Sequence, residues 1–322
     1  MMNRLMMACA AATLTAFTLP AAAQAYPAKL VRVVSTQTAG SPADVLIRMA
    51  AQKMSESLSQ PVVVEVQAGA AGVLAGQTVA RAAPDGYTVL YTLASTIVTT
   101  PQLMKAKPFE LKDFTPIIVV SQAATCLIAS VTFAPNTISE LVQLARANPG
   151  KLAYGSNGIG GTYHLEMELL KQKYGLDLIH VAYKSGVDAL MAAATATLPI
   201  AYAPCASAQP HIRAGKVKII ATLEKKRLSE LPDLPAMGEQ VPDYEKVGGG
   251  VDLYAPAGLP PAIAKRIATE MQKALGAPDV RARMKEIWFF YDGTSLDEMG
   301  AQRRRDMEVV ARAIKAAGLK PE

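Results

Sequence analysis

Two loops rich in glycine and hydroxyl residues have the composition of an anion-binding site. They are residues 35–44 (S-T-Q-T-A-G-S-P-A-D) and 154–164 (Y-G-S-N-G-I-G-G-T-Y-H), and each leads into a segment with helical hydrophobic spacing. The unpaired main-chain N–H groups and the dipole at a helix N-terminus favour a negative charge. Two such loops facing each other would hold a small carboxylate without arginine or lysine. Loops of this composition are also common as turns and helix caps, so each loop alone leaves both interpretations open.

The candidate ligand-binding residues of these loops combine side-chain donors with glycine, which lets the main chain approach a ligand closely. In the first loop they are Ser35, Thr36, Gln37, Thr38, Ala39, Gly40 and Ser41. In the second loop they are Ser156, Asn157, Gly158, Gly161 and Thr162.

The same segments match no catalytic or metal-binding motif. Ser156 lies in Tyr-Gly-Ser-Asn-Gly, which lacks the first glycine of the Gly-x-Ser-x-Gly nucleophile elbow. The sequence has no Gly-Lys-Ser or Gly-Lys-Thr phosphate-binding loop. His164 and Glu168 stand four residues apart, as zinc ligands on a helix do, but the chain has only 3 histidines and the other two are not at ligand spacing. We therefore expect no catalytic residue, no metal and no cofactor.

The composition indicates a globular protein with more than one core. Of the 322 residues, 51% are hydrophobic and 19% are charged, which excludes a disordered chain. Single cores rarely grow past about 250–300 residues, so two are expected. Aromatic residues make up 6%, which counts against a nucleic-acid partner bound by base stacking. The net charge of +6 is spread along the chain and indicates solubility with a mild preference for anions.

Residues 1–25 have the pattern of a signal peptide. Arg4 precedes an apolar run at residues 5–19, and Ala23-Gln24-Ala25 has the small-x-small pattern of a signal peptidase site. The run is short for a membrane-spanning helix. We expect cleavage before Tyr26 and an extracytoplasmic, oxidising compartment.

Two cysteines remain after that cleavage, Cys126 and Cys205. In an oxidising compartment they are able to form one disulfide, but a chain with this much core does not need one. The sequence leaves open whether they are bridged or remain two buried thiols.

Strand and helix patterns alternate along the chain. Short β-branched runs at residues 30–35, 61–66 and 87–92 are separated by loops and helical patterns, and a second series of strands begins near Cys126. This order predicts an α/β fold with two mostly parallel sheets flanked by helices.

The two series of strands predict two lobes joined by more than one crossing. We expect lobe 1 at residues 26–125, with residues 250–322 returning to it, and lobe 2 at residues 126–249. Ligands of such sheets bind beyond the carboxyl ends of the strands, where both glycine-rich loops lie.

Seven motifs in a fixed order give the chain a resemblance to a known family. They are Tyr26-Pro27-x-Lys29, Gln60-Pro61-Val62-Val63-Val64-Glu65, Arg81-Ala82-Ala83-Pro84-Asp85-Gly86-Tyr87-Thr88, Tyr154-Gly155-Ser156 with Thr162 and His164, His180-Val181-x-Tyr183-Lys184, Pro210-His211-Ile212-x-Ala214-Gly215-Lys216, and Ala255-Pro256-Ala257-Gly258. Through them the sequence resembles the periplasmic solute-binding proteins of the tripartite tricarboxylate transporter family, also called Bug receptors, over essentially the whole chain after residue 25.

The resemblance implies a type II periplasmic binding protein, the two-lobed "Venus flytrap", with a carboxylate held between its lobes. Such a receptor is expected to be a periplasmic monomer that performs no chemistry. It would pass its ligand to the integral-membrane permease subunits of a tripartite tricarboxylate transporter. The resemblance also places Ser95 and Thr96 in a third loop beside the ligand, and Ala203 at a ligand position after a strand of lobe 2.

Three departures from the family pattern bear on the ligand. Gln37 stands where the family usually has an aromatic residue, Tyr202-Ala203-Pro204 where Phe-Asp-Asn is common, and Gly250-Val251 where Trp-Phe is common. Loss of one acid and of the aromatic rings at these positions predicts a roomier and more neutral cleft. Our hypothesis is a bulky carboxylate, such as the aromatic dicarboxylate terephthalate, rather than a small amino acid.

Two other functions stay open at this stage. A sensor for a membrane signalling partner would use the same cleft, and a hydrolase on the same scaffold would turn over the bound carboxylate. Among the charged residues, we expect Asp44 to fix its loop and Glu166 to be structural or at the surface. Arg303-Arg304-Arg305 is expected to form a solvated helix face.

Overall fold

The computed structural model describes residues 26–228, 230–291 and 296–321. The signal peptide predicted at residues 1–25 lies outside the described residues. The strands are β1 (Val31–Ser35), β2 (Val62–Val66), β3 (Thr88–Leu93), β4 (Phe114–Ala123), β5 (Thr125–Ser130), β6 (Ala153–Ser156), β7 (Ile179–Ala182), β8 (Ile200–Pro204), β9 (Val217–Thr222), β10 (Val251–Pro256) and β11 (Phe289–Phe290).

Helices connect most of these strands and close the chain. They are α1 (Pro42–Leu58), α2 (Val73–Ala80), α3 (Ala94–Val98), α4 (Thr100–Leu103), α5 (Ile138–Ala147), α6 (Thr162–Tyr174), α7 (Gly186–Ala194), α8 (Cys205–Arg213), α9 (Met237–Gln240), α10 (Pro261–Gly276), α11 (Pro278–Glu286) and α12 (Leu296–Ala316). Within the described ranges, none of these helices combines the length and the apolar character needed to cross a membrane.

The strands form two sheets, one in each lobe. The sheet of lobe 1 has the order β11-β4-β10-β3-β1-β2, and the sheet of lobe 2 has the order β7-β6-β8-β5-β9. β1 runs parallel to β2 and β3, and β6 runs parallel to β7 and β8. Separate apolar clusters lie on the two faces of each sheet, where the helices pack. The predicted two-lobed α/β fold is confirmed.

Both sheets are mixed rather than mostly parallel. β10 runs antiparallel to β3 and β4, and β5 runs antiparallel to β8 and β9. These strands adjoin the two passages between the lobes, so their direction is not set by a strand–helix–strand unit, the element that makes neighbours parallel. Sequence reasoning assigned no element to β4, although residues 117–120 are a buried apolar run.

Local sequence fixes the start of α1 at the edge of lobe 1. The Ser41 hydroxyl accepts a hydrogen bond from the main-chain N–H of Asp44 at 3.3 Å, and Pro42 occupies the first turn. The apolar side chains that anchor the helix against the sheet are Leu46, Ile47, Ala50, Ala51 and Met54. The start of α1 is therefore held at the carboxyl end of β1.

A disulfide joins Cys126 in β5 to Cys205 at the start of α8, with their Cα atoms 5.1 Å apart. The main-chain N–H of Cys205 also donates to the carbonyl of Ala124 at 2.9 Å. The two cysteines are therefore bridged, and the bridge ties the start of α8 to the strand that follows the first passage between the lobes.

Arg303 in α12 is the centre of a buried ion-pair network. Its Nε and Nη2 each donate to one carboxylate oxygen of Asp252 at 2.7 Å, and its Nη1 donates to Asp306 at 2.6 Å. Its Nη2 also donates to the carbonyl of Gly249 at 3.2 Å. The Tyr254 hydroxyl donates to Asp252 at 2.7 Å. The network thereby joins α12 to β10 and to the second passage between the lobes.

The expectation of a solvated face is wrong for Arg303, whose side chain is 0% exposed, while Arg304 and Arg305 are exposed. A buried guanidinium needs a carboxylate partner. That partner, Asp252, lies 51 residues away in the sequence, so helical spacing alone does not reveal it.

Removal of the disulfide should lower the stability of the fold. The bridge spans a sequence separation of 79 residues, and the loss of a native disulfide typically costs about 2–5 kcal/mol. We expect the double variant Cys126→Ala/Cys205→Ala to show this loss in denaturant unfolding. A reducing agent should destabilise the wild type by a similar amount and leave the variant unchanged. Equal stability of the wild type with and without reductant would contradict the prediction.

Arg303→Met should destabilise the protein strongly, because it leaves Asp252 buried without its cation. Breaking a buried ion pair from one side costs about 3–5 kcal/mol. Arg304→Met is the matched control, since Arg304 is the exposed neighbour on the same helix and should change stability by less than about 0.5 kcal/mol. Denaturant unfolding of both variants checks this, and equal effects would count against the network.

Candidate functional site

The two glycine-rich loops border one cavity between the lobes, with a volume of about 420 Å³. Gln37 and Ser41 reach it from the loop after β1, and Asn157 and Thr162 reach it from the loop after β6. Both loops follow the carboxyl ends of parallel strands, where ligands of such sheets bind. The cavity therefore brings the two candidate loops together.

Three helices of nine residues or more, α1, α6 and α8, begin at this cavity, and the short helix α3 begins there too. The wall residues at the starts of α1, α6 and α8 are Ser41, Pro42, Ala43, Thr162, Tyr163, Ala206 and Ser207. Sequence reasoning missed α8, although Pro204 directly after a predicted strand is a helix-start signal. The first N–H groups of a helix have no intrahelical acceptor. One at each start is used within the protein: Asp44 donates to Ser41 Oγ, Tyr163 to Asn157 Oδ1, and Cys205 to the Ala124 carbonyl.

The start of α1 already holds a carboxylate of the protein itself. Asp44 accepts hydrogen bonds from the main-chain N–H of Gly40 at 2.9 Å and from Nε of Arg48 at 3.0 Å. Burial alone would raise the pKa of Asp44, but Arg48 and the Gly40 amide together hold it below its ordinary value. Asp44 thus fixes its loop, as the sequence indicated, by binding the Gly40 N–H that lies just before this helix start.

The start of α6 keeps more free donors. Gly161 stands at the N-cap, and Asn157 Oδ1 takes the capping role by accepting a hydrogen bond from the main-chain N–H of Tyr163 at 3.2 Å. Within the described part of the chain, the amide nitrogen of Asn157 and the hydroxyl of Thr162 have no partner. Both residues lie on the cavity wall. These two groups are therefore available to a ligand.

Five of the predicted site residues lie on the cavity wall: Gln37, Ser41, Ser95, Asn157 and Thr162. Four others are buried behind it: Ser35, Thr96, Ser156 and Ala203. The loop tip, Thr38, Ala39 and Gly40, is exposed, and Thr36, Gly158 and Gly161 are half-buried off the wall. The role of these residues in binding stays a prediction.

Several of the predicted residues that are not on the wall form hydrogen bonds within the protein. The Thr36 hydroxyl donates to the Thr92 hydroxyl at 2.9 Å, and Ser35 Oγ accepts from the main-chain N–H of Gln37 at 3.1 Å. Gly158 and Gly161 close a turn through a main-chain hydrogen bond of 3.1 Å. Sequence patterns identify such residues as donors but do not show which hydroxyls are used internally.

Ser156 belongs to a buried histidine stack. Its Oγ lies 2.6 Å from Nε2 of His180, and the His180 ring stacks on His164 with centroids 3.9 Å apart. His164 Nδ1 accepts from the main-chain N–H of Gly160 at 3.0 Å, so His164 helps to fix the loop. Burial and the neighbouring His164 lower the pKa of His180 to about 4, which keeps it neutral at neutral pH.

Ser156 and His180 are thus a serine–histidine pair, which the sequence motifs did not indicate. The Ser156 side chain is 0% exposed and off the cavity wall, so a bound substrate would not reach it. A nucleophile has to lie within contact distance of the bond it attacks. The pair therefore serves the packing of lobe 2.

Glu166 and Lys246 are the charged residues of the cavity wall within the described ranges. Lys246 donates to Glu224 at 2.6 Å and to Gln122 at 3.3 Å, so its charge is balanced. Glu166 is 3% exposed and lies on the cavity wall rather than at the surface.

The carboxylate of Glu166 accepts two hydrogen bonds from neutral donors. One comes from the main-chain N–H of Val247 at 2.7 Å and the other from the Tyr244 hydroxyl at 3.1 Å. No lysine or arginine of the described residues forms an ion pair with it. Burial raises the pKa of Glu166 to about 8, against the opposing effects of Val247, Lys246 and Tyr244.

Apolar residues that sequence reasoning missed form the other side of the cavity. They are Leu93, Ala123, Leu223, Val251, Ile287 and Phe289. They come from both lobes and from the passages between them, so no single sequence motif connects them. The arrangement offers polar groups at the helix starts and an apolar surface for the body of a ligand.

A second cavity of about 670 Å³ shares Lys246, Gly248 and Gly249 with the first. Exposed cations such as Lys225 and Lys226 form part of its wall, and none of the three helix starts contributes to it. The described residues bring together no group of three or more side chains suited to hold a metal ion. The 420 Å³ cavity is therefore the better candidate for a binding site.

Comparisons with known proteins agree with this architecture. The family model described as "Tripartite tricarboxylate transporter family receptor" matches residues 46–295. A UPF0065 protein of Bordetella pertussis is 35% identical over 256 residues, which are 80% of this chain and 79% of that protein.

Two solved structures have the same fold. The periplasmic binding protein BugD is 30% identical, with a TM-score of 0.69 over 92% of this chain and 100% of that one. Rpa4515 of R. palustris, solved with adipate, is 27% identical, with a TM-score of 0.73 over 92% of this chain and 100% of that one. The chain therefore belongs to the tripartite tricarboxylate transporter receptor family, whose members are periplasmic solute-binding proteins rather than enzymes.

Proposed function

We propose that the protein captures a carboxylate in the interlobe cavity and delivers it to the permease subunits of a tripartite tricarboxylate transporter. The observation that carries this proposal is the convergence of three helix starts on a cavity whose lysine is already paired. Donors at a helix N-terminus and its dipole favour an anion without a point charge. The free amide of Asn157 and the hydroxyls of Thr162 and Ser207 add direct hydrogen bonds.

The wall favours a dicarboxylate with an apolar body. Leu93, Leu223 and Phe289 would contact a hydrocarbon chain or ring, and the volume of about 420 Å³ is within the range of small-molecule sites. The neighbour Rpa4515 was solved with adipate, a dicarboxylate of this kind. An aromatic dicarboxylate such as terephthalate remains our hypothesis.

Small amino acids fit the wall less well. An α-ammonium group needs an acceptor, and Glu166 is the carboxyl on the wall. Burial raises the pKa of Glu166 to about 8, so it is mostly neutral at neutral pH and offers the ammonium group no counter-charge. A ligand without an ammonium group therefore leaves fewer unpaired polar groups.

Transport would take place by closure of the lobes around the ligand. The wall has residues of both lobes, so binding would favour the closed arrangement by hinge motion. We place the protein in the periplasm as a monomer that meets its membrane partner when closed. A sensor would use the same cavity and differ only in that partner.

A thermal-shift screen tests the ligand class. Adipate and terephthalate should stabilise the protein, and a ligand at 100 times its dissociation constant should add about 2.7 kcal/mol. Adipamide, which has the carbon chain of adipate without its charge, is the matched control and should have little effect. Stabilisation by glutamate or aspartate with none by the dicarboxylates would contradict the proposal.

Removal of the free donors at the start of α6 should weaken binding. Thr162→Ala removes one hydroxyl from the cavity wall and should cost about 0.5–1.5 kcal/mol of binding free energy. Asn157→Ala should cost at least as much, because it removes the free amide and also the cap of α6. Ser139→Ala, at an exposed position of α5, is the control and should have no effect. Calorimetric titration with adipate measures the difference, and unchanged affinity in both wall variants would move the site elsewhere.

A further inference from the structure

A buried carboxyl group stands on the wall of a cavity that is proposed to bind carboxylates. Glu166 is 3% exposed, and no cation of the described residues pairs with it. Burial disfavours the ionised form of such a group. A ligand carboxylate in the same cavity would add repulsion between like charges. Both effects favour the neutral acid.

The geometry around Glu166 accommodates both protonation states without rearrangement. The ionised form accepts from the Val247 N–H and the Tyr244 hydroxyl. The neutral acid keeps the first bond through its carbonyl oxygen. Its O–H then donates to the Tyr244 oxygen, because the hydroxyl of tyrosine serves as either donor or acceptor.

The other charged or titratable groups near Glu166 do not neutralise it. Beside the interlobe cavity they are Lys246, Glu224, Tyr244 and Tyr202. Glu166 also lines a third cavity, around which they are Lys173, Asp243, Glu245 and Arg312. Lys246 is paired with Glu224, and Arg312 is paired with Glu245. Lys173 and Asp243 are exposed, so solvent screens them.

This third cavity offers a second path by which solvent approaches Glu166. Its volume is about 190 Å³, and it lies between α6 and the segment that follows α9. Glu166 lines both cavities. A proton would therefore reach the carboxyl group while a ligand fills the interlobe cavity.

We propose that Glu166 couples ligand binding to proton uptake, so that its neutral form admits a carboxylate and its ionised form excludes it. This inference rests on the proposed function. The sign follows from the pKa of about 8, which lies above the ordinary value for glutamate. Below pH 8 Glu166 is mostly neutral and affinity is flat. Above pH 8 each ligand that binds must bring a proton, and affinity falls as pH rises.

Titration with adipate between pH 6.5 and pH 9.5 tests the coupling, because both adipate carboxyl groups are ionised throughout this range. The wild type should bind about tenfold more weakly at pH 9 than at pH 7. Glu166→Gln, which mimics the neutral acid, should vary by less than about twofold. Glu308→Gln, at an exposed position of α12, is the control and should follow the wild type. Equal pH dependence in all three proteins would overturn the inference.

Calorimetry in two buffers of different ionisation enthalpy counts the protons directly. At pH 8 the wild type should take up about half a proton for each adipate bound, and Glu166→Gln should take up none. Melting curves at each pH show whether every variant remains folded.

Carbon-13 NMR of the glutamate side-chain carboxyl groups separates this inference from the proposed function. In the ligand-free wild type, the signal lost in Glu166→Gln should titrate near pH 8. A midpoint near the ordinary value for glutamate would overturn the inference and leave carboxylate binding intact. Failure of adipate and terephthalate to bind at any pH would overturn the proposed function, and the coupling with it.

Discussion

The helices α1, α6 and α8 all start at one cavity, and the rest of the site depends on this convergence. The lysine on the cavity wall, Lys246, is already paired with Glu224. The N–H groups of a first helical turn have no intrahelical acceptor. At α1 this capacity is partly used by the Ser41 hydroxyl, at α6 by Asn157 and at α8 by the Ala124 carbonyl. The N–H donors that remain free are distributed over both lobes, so only a closed arrangement of the lobes would place all of these donors around one anion.

The segment that leads from β9 in lobe 2 back to β10 in lobe 1 forms part of the cavity wall, and its lobe 1 end has to stay fixed. The Gly250 carbonyl accepts from the main-chain N–H of Ala94 at 3.0 Å, and the Gly249 carbonyl accepts from Arg303 at 3.2 Å. Gly250 has a φ of 101°, and a Cβ there would lie 3.0 Å from the Ser121 carbonyl, so glycine is required. These two bonds anchor the segment to lobe 1. Hinge motion would therefore take place on the lobe 2 side of Gly249.

Sequence patterns predicted what depends on neighbours in the chain. The spacing from Val45 to Leu58 predicted α1, and the composition of the two glycine-rich loops predicted an anion site at the carboxyl ends of the strands. Contacts between distant segments were not predictable in this way. The burial of Arg303 depends on Asp252, and the apolar wall combines Leu93 with Phe289, almost 200 residues apart. Ser156 was identified as a donor, but its partner His180 lies on the neighbouring strand.

Recognition by helix dipoles also explains how an uncompensated acid is tolerated at an anion site. A free lysine on the wall would pair with Glu166, lower its pKa and lose its own charge to that pair. A helix dipole is spread over several fixed N–H groups and therefore cannot form an ion pair with one carboxylate as a lysine does. Lys246 is the lysine in position to do so, and its ammonium group is held by Glu224 at 2.6 Å. Glu224 is not itself on the wall of the interlobe cavity. It nevertheless determines the electrostatics there, because it keeps the charge of Lys246 engaged and leaves Glu166 unpaired.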